Sequence, residues 1–197
     1  MICLFIWRFG LGRLPRKKQD IDNAAIELFA TKGLAKTSIR DVSAKAGVTE
    51  GALYRHYKSK NQMAWELYCK EVHSFSQGLK ELIKQDVEPA EKLSRCIEYL
   101  YKYYDENPIR FSFILLTQHG FPEEQLLDEE NNPNDIVIRE VSSLFINVSI
   151  SDHKVLAAML MGAILQPIIM HRYGRIEKSV TAYIEDVASI CRKMITT

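Results

Sequence analysis

The chain has 197 residues, 47% apolar and 26% charged, the composition of an ordinary globular protein with room for one or two domains. A net charge of +1 indicates no partner by itself. The four cysteines, Cys3, Cys69, Cys96 and Cys191, are too scattered for a zinc cluster and read as reduced thiols of a cytosolic protein.

Residues 1–14, MICLFIWRFGLGRL, carry an apolar run from Ile2 to Trp7. It is too short to span a bilayer, which takes about twenty apolar residues. It also lacks the basic start and small-residue cleavage site of a signal peptide. The segment reads as a flexible extension, although Arg13, Arg16, Lys17 and Lys18 at its end would suit an arm reaching DNA phosphates. A first helix follows over 17–31, with Ile21, Ala24, Ala25, Leu28 and Phe29 on one face and Gly33 after its end.

The stretch from Ser38 to Tyr57 organises the rest. Ser38 and Asp41 have capping-box spacing, Val42 and Ala46 give a buried side, and Gly47 can close the helix in a left-handed conformation. Thr49 can cap a second short helix with Ala52, Leu53 and Tyr57 towards its inner side. Ser59 and Gln62 repeat the capping-box spacing at the next start. Two short helices about a glycine turn form a helix-turn-helix pattern, whose second helix enters the DNA major groove. The charge agrees: residues 13–60 hold eleven lysines and arginines against five acids, and residues 61–197 fourteen against twenty. A basic head on an acidic body is the footprint of a chain that docks nucleic acid at one end.

A long helix is expected over 59–84, buried through Met63, Leu67, Val72, Phe75, Leu79 and Leu82 and widened by Trp65 and Tyr68. Gly78 is a weak point in it, costing about 1 kcal/mol against alanine. Pro89 opens the next helix, with a stripe of Leu93, Ile97, Leu100 and Tyr104, and Pro108 stops it after Asn107. Residues 111–116 read as a short buried helix and residues 120–134 as a loop with a short amphipathic piece. Helices then follow over 136–148, 152–173 and 176–195, with Pro167 expected to kink or open the second. The predicted fold is all-α, about nine helices, with no repeats and no strand-turn-strand signal.

Residues 16–68 resemble the N-terminal domain of the TetR family of bacterial transcriptional regulators. The resemblance is carried by Ala25-x-x-Leu28-Phe29-Ala30-x-x-Gly33, by Thr37 to Ser43, and by Ala46-Gly47-Val48-Thr49-x-Gly51-x-Leu53-Tyr54-x-His56-Tyr57 through to Lys60. It implies a DNA-binding domain over 15–60 and a ligand-binding and dimerisation domain over 61–197. It also implies a fourth helix whose tilt carries the signal from ligand to DNA.

By residue type, Ser38 and Thr49 offer hydroxyls and helix-start amides to phosphates, and Tyr54 a hydroxyl for a phosphate and a ring for a thymine methyl. Lys60 is a phosphate clamp, and Arg40 and Arg55 can each bond two guanine acceptors. By the resemblance, Arg40, Thr49, Glu50, Gly51, Tyr54, Arg55, His56 and Lys60 occupy DNA-contact positions. Gly51 lets the helix sit close, and Glu50 either accepts from cytosine or faces solvent. Aromatic and polar residues in the later helices are candidates for an effector pocket: Tyr103, Phe111, Phe113, His119, Met159, Gln166, Met170 and Tyr173. Gln166 is singled out because an amide in an apolar helix needs a partner. No nucleophile, phosphate-loop or metal motif occurs, so the expectation is no enzyme, no metal and no cofactor. The expected partners are a palindromic duplex operator, a second copy of the chain, and a small hydrophobic effector or, alternatively, a protein effector. No membrane is expected.

Overall fold

A computed structural model describes residues 16–117, 120–121 and 153–195, and among these every regular element is helical. The helices are α1 (Arg16–Lys32), α2 (Ile39–Ala46), α3 (Glu50–Tyr54), α4 (Lys60–Ile83), α5 (Pro89–Glu106), α6 (Pro108–Thr117), α7 (His153–Arg172) and α8 (Ile184–Ile195), with a 3₁₀ turn at Val180–Tyr183. The expected extension over 1–14, the loop beyond Phe121, the helix over 136–148 and the candidate His119 lie outside the described residues.

The chain divides into two compact units, and α4 contributes residues to both. Of the described residues, the first unit takes those up to His73 and those from Ile109 to Phe121. Its core starts from α1, where Ile21, Ala24, Ala25 and Phe29 are buried as their spacing requires. Ile26 joins them and Leu28 is half-buried. From α4 come Met63, Ala64, Leu67, Tyr68 and Val72, and from α6 Phe111, Phe113 and Ile114. Phe113 lies between Phe29, at 6.2 Å between ring centroids, and Tyr68, at 6.3 Å. Phe121 packs edge-on against Trp65 at 4.9 Å. Each such pair adds about 1 kcal/mol beyond the area it buries. At the start of α6, Arg110 bonds Glu71 on α4 at 2.5 Å and Asn23 on α1 at 2.7 Å. That guanidinium gives the buried Glu71 carboxylate its charged partner.

The second unit takes Ser74–Pro108 and the described residues from 153 onward. The α5 stripe of Leu93, Ile97, Leu100 and Tyr104 is buried, together with Cys96 and Tyr101. Tyr101 donates its hydroxyl to the Ile164 carbonyl of α7 at 3.0 Å, which satisfies a polar group with no access to water. Pro167, expected to kink or locally open α7, lies inside a helix that runs on to Arg172. One missing donor does not end a helix whose Leu160, Ile164 and Ile168 are all buried.

The last helix differs from expectation. It begins at Ile184, not near 176, because the Asp105 carboxylate of α5 accepts from the Ser179 hydroxyl and from the Thr181 amide at 3.2 Å. That side-chain acceptor holds the chain in a 3₁₀ turn before α8 can start. Among the described residues Cys69, Cys96 and Cys191 form no disulfide, and burial pushes the Cys96 thiol up to about 11.

Candidate nucleic-acid interface

α2 is short and held at both ends. The Ser38 hydroxyl accepts from the Asp41 amide at 3.1 Å, and Asp41 Oδ2 accepts from the Ser38 amide at 2.8 Å, the reciprocal pairing of a capping box. Lys32 at the end of α1 donates to the same Asp41 oxygen at 2.8 Å. The Lys32 ammonium, then the Ser38 amide and hydroxyl, hold the Asp41 carboxyl well below the usual carboxylate range. At the other end Gly47 has φ 65°, and the Gly47 and Val48 amides donate back to Ala44 and Ser43 at 3.3 and 3.0 Å. That is the Schellman pairing, which needs a left-handed residue at Gly47.

The turn delivers Thr49, whose hydroxyl accepts from the Ala52 amide at 3.2 Å and starts α3. α3 is one and a half turns long, and its Leu53 is fully buried. Ala52 is half-buried, whereas Thr49, Glu50, Gly51, Tyr54, Arg55 and His56 are exposed, as are Ser38 and Arg40 at the start of α2. Tyr54, a large ring at 52% exposure, stands in solvent with no core to fill. Among the described residues neither Arg40 nor Arg55 takes part in an ion pair, so both guanidinium forks are available to a nucleic acid. Lys45 and Lys32, by contrast, are held by Glu27 and Asp41.

Lys60, expected as a phosphate clamp, stands at the start of α4. It is half-buried and donates to the Leu34 carbonyl at 2.8 Å, which leaves two of its three donors for a phosphate. Residues with less obvious signals support the surface from behind. Thr37 is buried and donates to the Gly33 carbonyl at 2.8 Å, fixing the entry to α2. Asp22 and Tyr57 are buried beneath α3 and joined by a hydrogen bond of 2.6 Å. A buried carboxylate in an apolar helix face has no sequence signature beyond its spacing, so neither role was legible beforehand.

The described pocket candidates fall in both units. Phe111 and Phe113 are core residues of the first unit. In the second unit Tyr103 stacks edge-on with Phe75 at 5.1 Å, Met170 is half-buried, and Met159, Gln166 and Tyr173 are exposed. The Gln166 amide is thus not enclosed within the protomer. Val155, Met159, Gly162, Gln166 and Tyr173 instead trace one exposed line along and just beyond α7. Val155–Arg172 is also long and apolar enough, by length and composition alone, to cross a membrane. No group of three or more metal-ligating side chains occurs among the described residues.

Residues 21–67 match the sequence profile described as bacterial regulatory proteins, tetR family. The chain is 31% identical over 115 residues to the uncharacterized HTH-type transcriptional regulator YerO of Bacillus subtilis (strain 168), a match covering 57% of this chain and 39% of that protein. It is 31% identical over 78 residues to the HTH-type transcriptional repressor KstR2 of Mycolicibacterium smegmatis, covering 40% of this chain and 38% of that one. The matched segments thus span well under half of each relative. Over almost the full length the fold resembles that of the transcriptional regulator FadR from Bacillus subtilis, solved in complex with stearoyl-CoA. The TM-score is 0.76 at 18% identity, covering 91% of this chain and 98% of that one.

Proposed function

Since the chain belongs to the TetR family of bacterial regulators, we propose that it is a DNA-binding transcriptional repressor, released from its operator by a small hydrophobic effector. The observation that carries the reading is the outward side of α2 and α3. Two capped helices present Arg40, Thr49, Gly51, Tyr54, Arg55 and His56 to solvent, with Leu53 anchoring them from below. Arg40 and Arg55 read guanine edges, and Ser38, Thr49, Tyr54 and Lys60 hold phosphates.

One such unit reads only a few base pairs, so the protein acts as a homodimer on a palindrome with readers roughly 34–36 Å apart. The exposed line on α7, with Ile190 of α8 at 57% exposure, supplies an apolar face for the second copy. A dimer explains that line better than a membrane does, because the opposite side of α7 is buried within its own protomer through Leu156, Leu160, Ile164 and Ile168. The protein then works in the cytoplasm.

The effector binds the second unit and prefers a conformation in which the two α3 helices no longer match the operator. α4, which contributes to both units, carries the change. A coupling of about 1–3 kcal/mol would weaken operator binding roughly 5–150-fold. The structural relative solved with stearoyl-CoA makes long-chain acyl-CoA the first effector class to test. A protein effector is the second reading, favoured by the acidic balance of residues 61–197.

The test is selection of duplexes from a randomised pool by the full chain, followed by titration of the selected duplex with palmitoyl-CoA and stearoyl-CoA. A palindromic site and release by one of them support the reading. Failure to enrich any sequence overturns DNA recognition. Enrichment with no release by any hydrophobic compound shifts the effector to a protein.

A further inference from the structure

We propose that Asp22 and Tyr57 are positioning residues for base reading, a buried polar clamp that sets the rotation of α3; this rests on the DNA-binding reading above. Asp22 lies on α1 directly after the buried Ile21 and is only 3% exposed. Its Oδ1 accepts from the Tyr57 hydroxyl at 2.6 Å. Lys18, one turn earlier, donates to both carboxylate oxygens at 3.1–3.2 Å and to the Tyr57 oxygen at 2.8 Å. Its ammonium also lies 4.7 Å from the centre of the Tyr57 ring. From α4 the Lys70 ammonium stands 3.6 Å from Asp22 Oδ2. Three segments converge on one carboxylate: α1, α4 and the chain leaving α3.

The consequence lies in what α3 lacks. A helix of five residues has too few internal bonds to hold itself. Only Leu53 within it is fully buried, and a single apolar contact leaves rotation about the helix axis loosely fixed. Tyr57 supplies the second anchor. Its amide donates to the Leu53 carbonyl at 3.1 Å, so it extends the turn begun by α3. Tyr54, Arg55 and His56 lie in the three positions before it. A ring in an apolar pocket can slide, whereas a short bond to a charged acceptor fixes the hydroxyl in direction as well as distance. Fixing the hydroxyl fixes the ring, and the ring fixes the bearing of the residues that face the bases. Asp22 also holds Lys18 inward, which keeps that ammonium from binding phosphate without regard to sequence.

The polar clamp need not be the most stable filling of this space. Replacing a buried ionic cluster by apolar groups of similar volume is often neutral or stabilising, and that separates positioning from mere support. The experiment uses full-length protein, the duplex that the wild type selects from a randomised pool, and a scrambled duplex of equal length. Thermal midpoints are measured alongside the ratio of the two affinities. In Tyr57→Phe, and in the double variant Asp22→Leu/Tyr57→Phe, the ratio is expected to fall about tenfold, the discrimination of roughly one base contact. The double variant should keep a thermal midpoint at or above that of the wild type. Asp22→Asn, whose amide oxygen still accepts from Tyr57, should retain most of the discrimination. A double variant that folds and discriminates like the wild type overturns the proposal, because the clamp would then serve stability alone. Failure of the wild type to select any duplex is a separate result, which removes the DNA-binding reading itself.

Discussion

Gly78 offers a test in which sequence and structure point in opposite directions. It sits inside α4, where alanine gains about 1 kcal/mol over glycine from helix propensity alone. The structure puts the Tyr99 ring in the space that a side chain would need, with Cε2 at 2.6 Å from an added Cβ, well inside van der Waals contact. The ring must swing away. It then loses its hydroxyl bond to the Phe75 carbonyl, now 3.0 Å, which contributes about 1 kcal/mol. It also loses its stacking on Phe75, now 5.5 Å between centroids, for about 1 kcal/mol more. Gly78→Ala is therefore expected to destabilise by a net of about 1 kcal/mol, the small overpacking penalty of a side chain that can yield. With Tyr99→Ala already in place nothing opposes the new methyl, and the same change should stabilise by about 1 kcal/mol. Urea unfolding followed by circular dichroism, at one fixed protein concentration so that the proposed association contributes equally to each variant, gives the four midpoints of the cycle. A midpoint that rises on Gly78→Ala in the wild-type background, or shifts equally in both backgrounds, would refute the packing argument.

Three further outcomes are expected. Ser38→Ala removes the cap of α2 and should cost about 1 kcal/mol in the same assay. Asp41 has a carboxyl pKa lowered on folding by Lys32 and Ser38, so its contribution is complete above the ordinary carboxylate range and is lost as pH falls below about 4. The gap in thermal midpoint between wild type and Asp41→Asn should accordingly close on acidification, and a gap independent of pH would count against the pairing. Met159→Glu, at a position 56% exposed in the protomer, should leave the fold intact and yield monomers in sedimentation at micromolar concentration. Persistence of the dimer would place its interface elsewhere. Arg55→Ala should relax sequence preference in gel-shift titrations at the cost of about 1–3 kcal/mol on the preferred duplex, and uniform weakening on all duplexes would make Arg55 a phosphate contact instead.

The sequence by itself determined what is settled within one or two turns of chain. Ser38, Thr49 and Ser59 announce helix starts because a capping hydroxyl reaches an amide only two or three residues away. Gly47 announces the turn because the conformation required there is left-handed. The stripes of α1 and α5 announce their buried faces because each carries apolar residues on one side only. Helix-turn-helix geometry, and with it the outward set from Arg40 to His56, follows from those local rules. Tertiary structure decided whatever depends on a partner far along the chain. α7 is apolar nearly all round, so its pattern could not say which side meets its own protomer, and Gln166, Met159 and Tyr173 turned out to lie on the outside of the protomer. Asp105, 74 residues before Ser179, delays the last helix by capturing the residues ahead of it. Lys60 gives one donor to a carbonyl 26 residues earlier, and Asp22 meets Tyr57 across 35. A buried polar group is satisfied by whichever donor the fold brings to it, and pairings over such separations leave no periodicity to read.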